Sequence, residues 1–219
     1  MSGQATADFS LKAGNVEVVE LAVSGRVDLG TPRTITFLVW KGDLGLVGGN
    51  RFANGGLVHL RHGRHVNTRL TLEVYGQLNY DEPLLVEFRG LVGGGVRTAL
   101  TSGRHAQLSL GAGYMFEHER LDLPITAVHP RRTSLHRLSS YVAVRLGRGS
   151  RITAVSTAYV QPQLDDWGDV RVLHNARLAV EMTRALSLTL SAAFRYDSGP
   201  PDGLHRADLA LTSGVAVTF

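Results

Sequence analysis

The feature that most restricts what this chain can fold into is an alternation of period two that recurs along most of its length. In ALSLTLSAAF, Leu186, Leu188, Leu190, Ala192 and Phe194 share one side, and Ser187, Thr189 and Ser191 the other. RLTLEVYGQL sets Leu70, Leu72, Val74 and Leu78 against Arg69, Thr71, Glu73, Tyr75 and Gln77. AQLSLGAGYMF and GLHRADLALTSGVAVTF repeat the pattern, the latter with Val215, Val217 and Phe219 on its apolar side. A pleated strand points successive side chains to opposite faces, so this is the signature of strands with one apolar face. No run of a dozen residues shows the 3.6-residue period of an amphipathic helix.

Clusters of Gly, Pro, Asn and Asp divide the chain into about twelve strands. Their expected spans are 5–13, 16–29, 33–46, 52–62, 68–79, 84–100, 106–117, 133–146, 151–163, 170–183, 186–198 and 206–219. The connections alternate: 63–67, 101–105, 147–150 and 183–185 are short, whereas 80–83, 118–132, 164–169 and 199–205 are longer. No break in composition divides the chain, and residues 1–219 read as one domain.

A soluble sandwich also alternates, so three further features decide the solvent. The strands are longer than the 5–6 residues usual in globular sheets and match the roughly 9–11 tilted residues that cross a bilayer. The polar faces carry charge at mid-strand, as at Glu73, Glu87, Arg89, Arg97, Arg145, Arg177 and Glu181. Such charges can pair across the lumen of a closed barrel. The alternation of short and long turns is the third feature, and it is usual in outer-membrane barrels. Unpaired backbone groups cost several kcal/mol in hydrocarbon, so only a closed sheet survives there. The expected fold is therefore all-β: a single antiparallel transmembrane barrel with both chain ends at the periplasmic rim. Val215, Val217 and Phe219 form its closing seam, and the terminal aromatic resembles a barrel-assembly signal. Tyr114, Phe116, Phe194 and Tyr196 mark the opposite interface.

Composition agrees. Charged residues make up 19% of the chain, below the usual quarter, and no apolar block reaches the length of a membrane-spanning helix. There are no cysteines, which excludes disulfides and thiolate chemistry. The net charge of +4 comes from scattered arginines, with no run that would suggest nucleic-acid binding. Residues 1–4 are not followed by an apolar segment, so the chain reads as a mature sequence carrying an initiator Met, or as cytosolic. The barrel pattern favours the former, with the bacterial outer membrane as location.

The C-terminal part resembles a known family. YVQPQLDDWGDVR and FRYDSGPPDGLHRAD, each followed by a strand, carry the likeness at Tyr159, Gln161, Pro162, Asp169, Arg171, Tyr196, Asp197, Ser198, Pro200, Pro201 and Asp208. Gly14-Asn15, GLVGGGVRTAL and LGAGYMFEHE add to it. These motifs resemble the YdiY-like salt-induced outer membrane proteins, a family without a settled activity. Arg206 stands where that family commonly has lysine. The resemblance implies a Gram-negative outer-membrane barrel and no particular reaction.

The charged interior is expected to comprise Arg69, Glu73, Glu87, Arg89, Arg97, Arg145, Arg177, Glu181, Arg195 and Asp208. The leading functional reading is a narrow pore or a structural, stress-related barrel. Its partners would be outer-membrane lipids, the assembly machinery during insertion and, with arginine in surplus, small anionic solutes. The alternative is a lipid hydrolase acting on lipid A or phospholipid through His136 and Ser140, which share strand parity, with Asp122 or Asp169 as orienter. A soluble lipocalin-like protein is a third reading. No cofactor is expected. His59, His62 and His65 are spaced by three, which puts His59 and His62 on opposite faces of a strand and argues against a metal site. The acidic loop 165–169 reads as solvated rather than calcium-binding. GLVGGGVR lacks the lysine and following helix of a phosphate cradle, and its glycines read as small residues that let a barrel curve or fill a crowded lumen.

Overall fold

The computed structural model describes residues 2–12, 18–48, 50–103, 105–147 and 150–218. The strands are β1 (Ser2–Lys12), β2 (Val18–Gly30), β3 (Thr34–Val47), β4 (Asn50–His65), β5 (Leu70–Asp81), β6 (Val86–Ser102), β7 (Ala106–Leu121), β8 (Arg132–Leu146), β9 (Ile152–Pro162), β10 (Val170–Glu181), β11 (Leu186–Asp197) and β12 (Ala207–Thr218). Each pairs antiparallel with its sequence neighbours, and β1 pairs with β12, closing the barrel. The seam sets Ala5 opposite Val217 and Ala7 opposite Val215. Closure leaves no strand edge, the condition a sheet must meet in hydrocarbon. Phe219 lies outside the described residues.

The two faces are inverted relative to a soluble protein. Leu188, Leu190, Val74, Val92 and Leu211 are among many large apolar side chains exposed on the outside. The most buried large side chains include Arg137 and Glu119, each 1% exposed. A water-soluble fold buries its apolar side chains and pairs or excludes its charges. Here the apolar face looks outward from β2 to β12. Tyr114, Phe194, Phe88 and Tyr80 join it in the half towards the longer loops.

β1 begins and β12 ends on one rim, which also carries the short turns 31–33, 66–69, 103–105, 147–151 and 182–185. The other rim carries the longer loops 122–131, 163–169 and 198–206, a single 3-10 turn at Glu82–Leu84, and one short connection at 48–49, where Gly48 adopts a φ of 54°. That connection departs from the strict short–long alternation. Two of the longer loops are tied together. Val128 and His129 N–H both donate to the Asp202 carboxylate, at 2.7 and 2.9 Å. Beneath them Leu123 packs with Val86 and Leu121 in a small apolar cap.

Candidate functional site: the lumen

β-Strand parity places Glu73 and Tyr75 of β5, Arg89 and Arg97 of β6, Glu117 and Glu119 of β7, Arg137 and Tyr141 of β8, Arg171 of β10 and Asp197 of β11 on the inner face. They form a dense ion-pair network in the sector from β4 to β11. Arg171 pairs with Glu117, with Glu119 at 3.5 Å and with Asp197 at 2.7 Å. Arg137 donates both terminal nitrogens to Asp169, each at 3.0 Å, and a further hydrogen bond to the Gln161 carbonyl at 3.1 Å. Arg89 pairs with Glu119. Nearer the short-turn rim, Glu73 accepts from Arg97 at 2.7 Å, Arg61 at 3.2 Å and the Tyr141 hydroxyl at 2.6 Å. Desolvated charges are tolerated only when each has such partners.

The bond from Tyr141 on β8 to Glu73 on β5 spans the inner wall of β6 and β7. That wall has no side chain where the rings lie. A Cβ on Gly111 would run into the Tyr141 ring, and one on Gly93 would stand 2.5 Å from the Tyr75 ring. Gly95 and Gly113 sit opposite each other in register, and a Cβ on either would strike the neighbouring strand's backbone. The glycines thus let the sheet turn tightly and let aromatic rings cover bare backbone, a device that restores packing at strand glycines. The Arg61 guanidinium lies 4.8 Å from the centre of the Tyr75 ring and completes the stack.

The remaining sector, from β10 through β12 to β3, is different. Lys41, Asp43, Asn175, Ala193, Asp208, Ala210 and Thr212 have inward parity yet are exposed. Arg195 pairs with Asp81 at 3.4 Å while its side chain stays 42% exposed, and it lies opposite Asp208 in register. Lys41 stands within electrostatic range of Arg177, Arg195 and Asp43. Other inward side chains of this sector are covered: Arg26 pairs with Asp28 at 2.6 Å and lies over the Phe37 ring, and Thr189 and Ala216 are buried near the short-turn rim.

The charges expected in the interior fall in several places. Glu73, Arg89 and Arg97 join the sealed sector; Arg177, Arg195 and Asp208 line the wet one. Arg145 and Glu181 have inward parity close to the short-turn rim and are exposed. Two differ from expectation. Arg69 lies in the turn before β5, because the Asn67 carboxamide oxygen accepts from the Arg69 and Leu70 N–H groups and starts the strand at Leu70. Glu87 sits at an irregularity of β6 that shifts the register between Val86 and Phe88, and it pairs on the outer face with Arg120 at 2.7 Å. A bulge re-aims side chains in this way.

Period-two reading missed Glu117, Glu119 and Arg137. Ending the seventh strand at Glu117 left Glu119 in a loop, although Met115, Glu117, Glu119 and Leu121 continue one parity and are all buried. Arg137 lies inside LHRLSS, where attention falls on the histidine and serines. Gln161, Asp169, Arg171 and Asp197, which carry the family resemblance, all converge on the Arg137 and Arg171 cluster.

His136 and Ser140 both face outward. Four residues of strand separate them by about 13 Å, and each has its own partner. The His136 Nδ1 lies 2.5 Å from the Tyr114 hydroxyl, and Ser140 donates to the Val160 carbonyl at 3.0 Å. Asp169 is held by Arg137, and Asp122 lies in the 122–131 loop. The structure brings no nucleophile–base pair together from these residues. His59 faces the lumen and contacts Gln77 at 3.2 Å, whereas His62 faces outward and contacts Thr36 at 2.8 Å.

The profile of the family described as "Protein of unknown function, DUF481" matches residues 5–219. The chain belongs to this family. It is the family of YdiY-like salt-induced outer membrane proteins that the C-terminal motifs resemble. No curated protein sequence matches the chain. Among solved structures, a KdgM porin aligns with a TM-score of 0.53 at 10% identity, covering 100% of this chain and 99% of the porin. A NanC porin aligns at 0.52 and 10% identity, covering 100% and 98%. At such identity the likeness is one of fold. This DUF481 chain therefore has the closed barrel of outer-membrane porins.

Proposed function

We propose that the protein resides in the bacterial outer membrane and forms a narrow, off-centre passage for small solutes. The passage runs along the inner wall of β10–β12 and β2–β3. The observation that carries this reading is the solvent exposure of Lys41, Asp43, Asn175, Asp208 and Thr212, all of which point inward. On the opposite wall the ion-pair network fills the lumen, so the free section is only part of the barrel's width. The net charge of +4 tilts the passage towards small anionic solutes, weakly, because most lumenal arginines face a carboxylate. The apolar outer surface meets membrane lipid, and the closing strand with Val215, Val217 and Phe219 is what the assembly machinery would read during insertion.

The test is electrical. Purified protein in planar bilayers, under a potassium chloride gradient, should show small unitary currents with a reversal potential on the anion side. Cation selectivity would overturn the solute preference. No current at all would overturn the passage and leave a barrel whose role is structural.

A further inference from the structure

The short-turn rim carries an arrangement of charge that the lumen does not use. Arg33 lies in turn 31–33, Arg64 stands two residues before turn 66–69 and Arg69 ends it, Arg151 lies in turn 147–151, and Arg184 in turn 182–185. All five are exposed, and none makes a side-chain ion pair among the described residues. Arg104 and Arg148 occupy the same turns in the sequence and lie outside the described residues. These turns contain no Asp or Glu. The nearest carboxylates among the described residues are Asp28, which is paired with Arg26, and Glu181, which lies in register with Arg151. The opposite rim is mixed, with Glu82, Asp122, Asp165, Asp166 and Asp202 in its loops.

The arginines are interleaved with the lowest edge of the apolar outer surface. Val66, Ile152 and Met182 are each more than half exposed and stand one to three residues from Arg64, Arg69, Arg151 and Arg184. At about 3.3 Å per residue, these arginines lie within about 10 Å along the chain of the last apolar side chains, Arg151 and Arg184 on the turn side of Ile152 and Met182 and Arg64 on the strand side of Val66. That is the depth of lipid phosphates beneath acyl chains, where long basic side chains place their heads. Between turns 31–33 and 66–69 there is an open groove of about 590 Å³ lined by Pro32, Arg33, Arg64, His65, Asn67 and Thr68. Like charge repeated on successive turns of one rim fits a surface of lipid headgroups better than a single protein partner.

We propose that this arginine collar binds the phosphates of anionic phospholipids in the adjacent leaflet, with the Arg33–Arg64 groove seating a headgroup. The inference rests on the membrane reading above. Each basic side chain near an anionic surface adds attraction that falls off within a Debye length.

Trp40 provides the probe. It faces outward near the middle of β3 and is 38% exposed, about 23 Å along the strand from Arg33, at a depth that brominated acyl chains reach. A Trp167→Phe background leaves it the sole tryptophan of the two. The full chain is reconstituted in vesicles of phosphatidylcholine, and brominated phosphatidylglycerol or brominated phosphatidylcholine is titrated while Trp40 fluorescence is read. The expected result is preferential quenching by the brominated anionic lipid, about twofold or more at low salt. The preference should fall to parity in Arg33→Gln/Arg64→Gln/Arg69→Gln and should shrink in the unsubstituted chain at high salt. Equal quenching by both lipids, or a preference unchanged in the triple variant, would overturn the collar. Parity together with co-sedimentation on peptidoglycan sacculi would overturn it in favour of a cell-wall partner. No quenching by either lipid would instead contradict the membrane reading itself.

Discussion

The two walls of the lumen obey the same strand periodicity and reach opposite outcomes. On β5–β8 the inward positions hold Glu73, Glu117, Glu119, Arg137 and Tyr141, long groups that reach one another across the glycine wall of β6 and β7. On β12 and its neighbours they hold Ala193, Ala210, Thr212 and Asp208, mostly short groups that are exposed. Side-chain length, and the bare backbone beneath it, decides whether a barrel of this size is plugged or open. In the proposed passage the paired wall supplies rigidity and the exposed wall the route.

The largest effects should separate the walls by stability. Arg137→Ala strands Asp169 and leaves Glu117 less compensated, and removing one partner of a buried pair costs about 3–5 kcal/mol. Asp208→Ala, on the wet wall, should shift stability by no more than about 0.5 kcal/mol. Urea unfolding of the reconstituted barrel, followed by tryptophan fluorescence, checks both; similar losses would erase the distinction. Next comes overpacking. Gly111→Leu drives a side chain into the Tyr141 ring and should cost about 1–3 kcal/mol, seen as a lower temperature for the heat-induced gel shift. Adding Tyr141→Ala should return part of the loss, because it removes the ring that the new side chain strikes.

A smaller effect concerns conductance. Thr212→Trp should reduce unitary current about twofold by filling the wet side, with little change in unfolding. The smallest effect is that of salt. Raising ionic strength from 0.1 to 1 M shortens the Debye length from about 10 to about 3 Å, which weakens the exposed Arg195–Asp81 pair but leaves the buried Arg171 cluster intact. The midpoint of unfolding should therefore move little.

Much of the fold was legible because the bilayer demands it. Alternation of Leu188 with Thr189, or Leu72 with Glu73, follows from a face that must be apolar and another that need not be, and closure follows from backbone satisfaction. The lumen was legible only in part. Parity says that Arg177 and Arg171 both point inward, but not that Arg171 meets Glu117 across strands distant in sequence while Arg177 lines the wet side. That depends on register and on barrel curvature. Glu87 and Arg69 were misplaced because a bulge and an Asx turn, each a matter of one residue, reverse or end the alternation. The glycines of GLVGGGV were legible as small residues that let the barrel curve or fill a crowded lumen; which rings cover them came only from the paired strands.

The most direct test of an unevenly filled lumen is thiol accessibility, in a chain that has no native cysteine. Thr212→Cys and Ser139→Cys place one thiol on each wall, and a charged, membrane-impermeant reagent reports which wall water reaches. The account predicts rapid labelling at 212 and protection at 139 in the folded, reconstituted barrel. Equal labelling at both positions, or protection at both, would contradict it.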